Sequence, residues 1–377
     1  MSNLLTGKPQ LNRVVNRRLI LDRIRRVGSV SRADLAKVTA IRPPTVSAVV
    51  KQLIEEGLVE EVGNGTTSGG RAPRMISLSR KQPRALGFEM SETSILAGVC
   101  DLAGEICDNV QVPFTPQSPQ ESVERLYEIG SRLLGKLKIN WSSIDGVGVA
   151  IPGHLNAAEG HVRWSRPFNW RDVPFKKLCE SRWKIRTDVV NDSLAGGMAA
   201  HLYDANLDAN NLVFLYVRFM DASHGVVGLG SGIIINGEPY HGEFGAAGEI
   251  TTPIRHPLLH AKEQYDTVFD DVKAFISAFE EGHPAAVGAT RMVADELSTL
   301  VLHIINLFEP GILVVNSDAP SLRDTLLEQW REVFEAHRLA YEPGKTRIVA
   351  SSLGELSVVR GAVAPTLQRV FRMPRWT

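Results

Sequence analysis

Charge divides this chain before any motif is found. Residues 1–84 hold 16 Lys and Arg against 6 Asp and Glu, while the remainder holds 26 basic against 36 acidic residues. The formal net charge of zero is therefore a basic module joined to an acidic body. A length of 377 residues already exceeds the ~100–200 of one ordinary domain, and the change of sign marks where to divide it. The split predicts a module that binds a polyanion at one end and a body that a polyanion would repel. With 44% hydrophobic and 22% charged residues the chain is globular, which excludes a mainly disordered protein. Its longest apolar runs, such as Leu212 to Val217, fall far short of the ~18–20 residues that cross a bilayer. With no apolar signal region at the N-terminus, a cytoplasmic protein with no membrane partner is expected. Cys100, Cys107 and Cys179 show neither a paired framework nor metal-clip spacing and read as reduced core thiols.

Within the basic module, Val15, Leu19, Ile20, Ile24 and Val27 recur at helical spacing among six arginines, predicting a basic amphipathic helix over 12–27. Ser31 offers a cap for a short second helix at 32–38, and Pro43-Pro44 suit the first turn of a third that runs to about Glu56. Val46, Val49, Val50, Leu53 and Ile54 face the core of that third helix, which leaves Arg42, Thr45, Ser47, Ala48 and Lys51 outside. Residues 58–62 and 74–78 read as two short strands around a Gly-, Thr- and Ser-rich loop. Three helices and a hairpin make a winged helix-turn-helix. Thr45 and Ser47 are the candidate base readers, and Arg42 and Lys51 the phosphate contacts. Arg71, in Gly69-Gly70-Arg71-Ala72-Pro73-Arg74, suits a narrow minor groove, or the stretch is a plain linker. A protein-binding or dimerising winged helix is the alternative. The boundaries drawn are 1–70 for the DNA-binding domain, 71–84 for a linker and 85–377 for the body.

From Arg84 onward apolar strands alternate with helical stretches, so the body reads as α/β. Strands are expected within 85–100 and at 105–112, 146–151, 189–192, 212–218, 232–235, 312–315 and 347–350. Helices are expected at 119–138, 193–201, 285–308, 321–336 and 355–371. No short internal repeat is evident.

These landmarks resemble the ROK family of repressors and sugar kinases, in particular its NagC/XylR-type regulators. The likeness spans nearly the whole chain. It rests on the winged helix with GGRAPR, GVGVAIPGHL at 146–155, FNW at 168–170, VVNDS at 189–193, GAAGEI at 245–250 and LGELSVVRGA at 353–362. The resemblance implies a two-lobed body of the actin and hexokinase type, ribonuclease H-like, with a sugar or sugar phosphate in the cleft. It places Asn169, Asn191, Asp192 and Glu249 around that ligand. Chemistry agrees for three of them, since Asn191, Asp192 and Glu249 can make the paired hydrogen bonds of a polyol. Asn191-Asp192 is equally placed to cap a helix.

The departures point away from catalysis. Where family kinases carry D-x-G-G-T on the first hairpin, this chain has Glu89-Met90-Ser91-Glu92-Thr93, and Glu92 would put a carboxylate beside a triphosphate. Asn316-Ser317-Asp318 replaces the glycine-rich adenosine contact, while Gly228-Leu229-Gly230-Ser231-Gly232 remains. The zinc motif after Glu249 is absent, and Thr252 stands where its histidine is expected. His256 and His260, spaced i, i+4 with Pro257 between, read as loop histidines. Glu263 offers a substitute for the further sugar-contacting glutamate. No metal and no cofactor are expected. The expected function is a sugar-responsive, DNA-binding repressor of carbohydrate genes, acting as a homodimer on operator DNA. The rivals are an ATP-dependent sugar kinase with an added DNA-binding module and a body that binds no ligand.

Overall fold

The computed structural model describes residues 9–64, 72–80, 84–204, 207, 209–220, 222, 224–251, 253–336 and 346–371. The N-terminal module comprises α1 (Pro9–Val27), β1 (Ser29–Ser31), α2 (Arg32–Thr39), α3 (Pro43–Glu55), β2 (Val59–Asn64) and β3 (Arg74–Leu78). Ser31 caps α2, its Oγ accepting from the Asp34 N–H at 3.1 Å. Ala40 closes α2 in the left-handed region at φ 56°, and the turn ends at Pro43, where a missing N–H costs nothing. The wing is a three-stranded sheet in the order β1-β3-β2, one strand more than the sequence pattern showed. β3 lies inside the 71–84 segment expected to be a linker. Pairing with both β1 and β2 makes it part of the winged helix, so the linker boundary is corrected. Ile20, Leu21 and Ile24 form the buried face of α1, whereas Leu19 and Val27, expected inside, are 42% and 45% exposed. Leu19 instead lines a space between α1 and the body.

The body has two lobes with one topology. The first contains β4 (Ala85–Met90), β5 (Ser94–Cys100), β6 (Ile106–Pro113), α4 (Pro119–Lys136) and β7 (Gly146–Ile151). A small antiparallel sheet of β8 (His154–Asn156), β9 (His161–Ser165) and β10 (Trp170–Val173) follows, then α5 (Phe175–Trp183), β11 (Thr187–Asn191) and α6 (Asp192–Tyr203). The second contains β12 (Leu212–Arg218), β13 (Gly228–Ile235), β14 (Glu238–Pro239), α7 (Pro257–Tyr265), α8 (Val272–Glu280) and α9 (Pro284–Phe308). It ends with β15 (Ile312–Ser317), α10 (Pro320–Ala336), β16 (Arg347–Ala350) and α11 (Ser357–Phe371). The sheets run β6-β5-β4-β7-β11 and β14-β13-β12-β15-β16. Each is an antiparallel meander continued by two parallel strands, so the fold repeats where the sequence shows no repeat.

α6 and α11 cross between the lobes on small residues. A Cβ at Gly361 of α11 would lie 1.7 Å from the Ala195 carbonyl oxygen of α6, so only glycine permits this approach. α11 then runs on to the N-terminal module, where Val363, Leu367 and Phe371 share one buried cluster with Ile20, Leu21 and Ile24. The N-terminal module therefore has no isolated core. It is docked on the last helix of the body.

Candidate functional site

The outer face of α3 forms the first candidate surface. Val46, Val49, Val50 and Leu53 are buried, which turns Arg42, Ser47, Ala48 and Lys51 to solvent and leaves Thr45 half-buried. Arg42 stands at the N-cap position, where the positive end of the helix dipole adds to its charge. Other arginines are committed inside the module. Arg13 binds Gln52 of α3, Arg17 binds Glu56 at its C-cap, and Arg32 and Arg74 both bind Glu61. The Arg74 and Arg32 guanidiniums hold the Glu61 carboxyl below the usual carboxylate range. Arg42 and Lys51 on α3 are exposed, as are Lys37 on α2 and Arg80 after β3, so the basic surface extends from α3 to the neighbouring elements. Arg71 lies outside the described residues.

The second surface is a cleft of about 340 Å³ between the lobes. Asn191, Asp192 and Glu249 all line it. Asn169 does not. It sits exposed at φ 52° in the turn between β9 and β10, its N–H given to the Arg166 carbonyl, so this expected ligand contact is not brought to the cleft. The cap of α6 is Asn191, whose Oδ1 accepts from the Leu194 N–H at 3.0 Å while Nδ2 donates to the Gly153 carbonyl at 3.1 Å. Asp192 is the first helical residue and is buried. Its Oδ1 accepts from the Ser193 N–H at 2.6 Å and from the Ser193 hydroxyl at 3.2 Å. Its Oδ2 is ion-paired with Arg218 at the end of β12.

Arg218 is the site residue that sequence reasoning missed. Its guanidinium lies 4.2 Å from the centroid of the Tyr216 ring, and behind it sit Glu89 and Asp318. Burial, with the Asp192 charge added, pushes the Glu89 carboxyl up to about 8, and the Tyr216 hydroxyl is hydrogen-bonded to it. At neutral pH Glu89 is therefore mostly protonated. A signal was present: Arg218 ends the all-apolar run of β12, and Glu89 interrupts the apolar run of β4. A charged residue in such a strand needs a partner from another element.

The stretches aligned with nucleotide contacts are used internally. Asn316 donates to the Ser357 hydroxyl at 3.0 Å, and the Asp318 carboxylate accepts from the backbone N–H groups of Phe219 and Met220 at 2.8 and 3.1 Å. The Gly228–Gly232 segment is the first part of strand β13. A Cβ at Gly230 or Gly232 would lie 2.2 Å from the Ser193 Oγ or carbonyl oxygen, so these glycines admit the start of α6. Packing accounts for these glycines without a phosphate.

The histidines are corrected in their setting. His256 caps α7, its Nδ1 accepting from the Leu258 N–H at 3.2 Å and its Nε2 bonded to the Phe219 carbonyl at 2.8 Å. His260 is not in a loop but on α7 itself, because Pro257 starts that helix rather than breaking it. Among the described residues no three His, Cys, Asp or Glu side chains are grouped to hold a metal. Glu263 pairs with exposed Arg255 and does not line the cleft. Thr252 lies outside the described residues. No described helix is long and apolar enough to cross a membrane.

Residues 85–254 match the ROK family and residues 8–67 the MarR family. The xylose repressor of Caldicellulosiruptor bescii is 22% identical over 98% of this chain and 100% of its own length. The DNA-binding transcriptional dual regulator NagC of Escherichia coli K12 is 21% identical over 95% of this chain and 93% of its own. A solved ROK family transcriptional regulator, a homolog of the E. coli MLC protein, superposes with a TM-score of 0.74 at 16% identity, covering 96% of this chain and 98% of that one. The ROK family glucokinase of Streptomyces griseus, solved with glucose and AMPPNP, gives 0.62 at 20% identity over 74% and 97%. The glucokinase likeness shows that the body has the kinase fold, and the regulator likeness extends through the winged helix. Residues 85–254 thus match a ROK body behind a MarR-type winged helix at 8–67, and the solved ROK regulator has the same fold over 96% of this chain.

Proposed function

We propose that this protein is a sugar-responsive transcriptional repressor whose winged helix binds operator DNA and whose cleft takes a sugar or sugar phosphate. The observation that carries the reading is the pairing of Asp192 with Arg218. A carboxylate aimed into a polar cleft suits a hydroxyl ligand, but one committed to a guanidinium has given up an oxygen that a phosphoryl-transfer base would use. The nucleotide side supports the same reading, since Glu92 lines the cleft and Asp318 is spent on backbone N–H groups. Kinase activity is therefore not part of the proposal. The names of the relatives, a xylose repressor and NagC, support sugar control of transcription. Thr45 and Ser47 read bases, Arg42 and Lys51 hold phosphates, and Asp192, Glu249 and the half-exposed Asn191 face the ligand. The working unit is a cytoplasmic homodimer, because one recognition helix covers too few base pairs for a unique genomic address.

The test is fluorescence anisotropy of the full chain on DNA from upstream of its own gene, with and without a panel of monosaccharides and their phosphate esters. Sedimentation and ATP-turnover assays are run on the same samples. Dimeric, steeply salt-dependent binding that one panel member weakens is expected. ATP turnover with any sugar, or no DNA affinity at low salt, overturns the reading.

A further inference from the structure

The cleft also discriminates between the two ligand classes. We propose that the effector is an uncharged monosaccharide with one ring face laid on Trp164, and that the cleft rejects its phosphate ester. This rests on the sugar-sensor reading above and narrows it.

Three observations carry the charge argument. A phosphate at the start of α6 would need the helix's free N–H groups. Those of Ser193 and Leu194 are already taken by the Asp192 and Asn191 side chains. The guanidinium within the cleft, Arg218, is held by Asp192, with Asp318 behind it. The cleft wall carries Glu92, Asp192 and Glu249 against Arg218 and Arg166, with His154 and His224 also lining it, His154 bonded to the Phe244 carbonyl, and Arg166 is exposed, where solvent screens it. A phosphate ester bringing about 1.5–2 negative charges would meet these carboxylates with Arg218 already held by Asp192 and with Arg166 and Arg171 screened by solvent.

Trp164 supplies what an uncharged ring needs. It is a large hydrophobic side chain, 44% exposed, on β9 at the cleft wall. The Arg171 guanidinium lies 6.0 Å from its ring centroid and braces it. A flat indole beside carboxylates matches a sugar, whose C–H face is apolar and whose rim is hydroxyls. The volume of about 340 Å³ lies at the small end of the ~300–1,000 Å³ range of ligand pockets, which suits one ring rather than a longer chain.

The test is calorimetry on the full chain with xylose, glucose and N-acetylglucosamine, each against its own phosphate ester. At least one free sugar is expected to bind about a hundredfold more tightly than its ester. Trp164→Ala should weaken that sugar about fivefold to tenfold, and Trp164→Phe should restore most of the loss. Glu92→Gln should narrow the gap by strengthening the ester. An ester that binds as tightly as its free sugar overturns the proposed ligand class and leaves the sensor reading standing. Unchanged affinity in Trp164→Ala removes the ring platform. If nothing in the panel binds or alters DNA affinity, the sensor reading falls with the proposal.

Discussion

Removing Arg218 should expose how much of the cleft's stability is electrostatic. The side chains of Arg218 and Asp192 are 17% and 5% exposed, so Arg218→Ala strands a carboxylate in a desolvated place. Breaking a buried pair from one side costs ~3–5 kcal/mol. Asp192 keeps the Ser193 N–H at 2.6 Å and the favourable end of the α6 dipole, which is worth up to ~1 kcal/mol, so the lower end near 3 kcal/mol is expected. For a chain of 377 residues that is a fall in Tm of roughly 4–5 °C. Arg218→Ala combined with Asp192→Asn should recover at least half of the fall, because no buried charge is left alone. Differential scanning calorimetry on wild type, both singles and the double, from pH 5 to pH 8, reads every term. Equal losses in the single and the double variant would refute the electrostatic account and leave Arg218 as packing on Tyr216.

Glu89 titrates in the opposite sense to an ordinary surface carboxylate. Its folded-state pKa is raised from 4.5 to about 8, so its protonated form stabilises the fold fully below pH 4.5, and that contribution is lost as pH rises towards 8. Glu89→Gln should abolish up to about 5 kcal/mol of this dependence, seen as a difference between variant and wild-type Tm across that window. On the DNA side, Arg42→Ala should weaken binding to all sequences alike and lower the salt slope by about one, whereas Thr45→Ala should relax preference at one base pair. Anisotropy titrations at several salt concentrations on operator and scrambled DNA distinguish the two.

The winged helix and the regular body elements were legible because their period is local. Pro43 and Ser31 mark helix starts, and the apolar runs of β4, β7, β12 and β15 are strands buried on both faces. β8, β9 and β10 were not legible: each has five or fewer residues, at least two of them short of full burial, and pairing holds them rather than composition. α7 was read as a loop because Pro257 was weighed as a breaker. The cleft was half legible. Asp192 and Glu249 came from motif resemblance, whereas the partnership of Asp192 with Arg218 and Glu89 joins three elements and has no sequence period. Asn169 shows the converse, a motif residue that the turn between β9 and β10 directs away from the cleft.

α11 supplies the last prediction, because it is the element that both ends of the molecule share. Asp192 in the cleft opens α6, and three residues later Ala195 is pressed on Gly361 of α11 with no room for a side chain. A contact without slack transmits displacement rather than absorbing it. Ten residues further along α11, Phe371 is buried among Ile20, Leu21 and Ile24, and the Arg25 guanidinium lies 5.4 Å from its ring centroid. Movement of α6 on ligand binding is thus expected to reach α1, and with it α3, through one continuous helix. Phe371→Ala should loosen that final joint while leaving the cleft and the face of α3 unchanged. The readout is the coupling factor, obtained twice: DNA affinity with and without sugar, and sugar affinity with and without DNA. Linkage requires the two to agree. Wild type should give a factor of about 5–150, the ordinary range for coupled sites, and Phe371→Ala a factor near one with each separate affinity retained. Phe371→Leu, which keeps an apolar side chain in the joint, should hold most of the coupling. Undiminished coupling in a folded Phe371→Ala protein would mean that the lobes signal to the winged helix by another route.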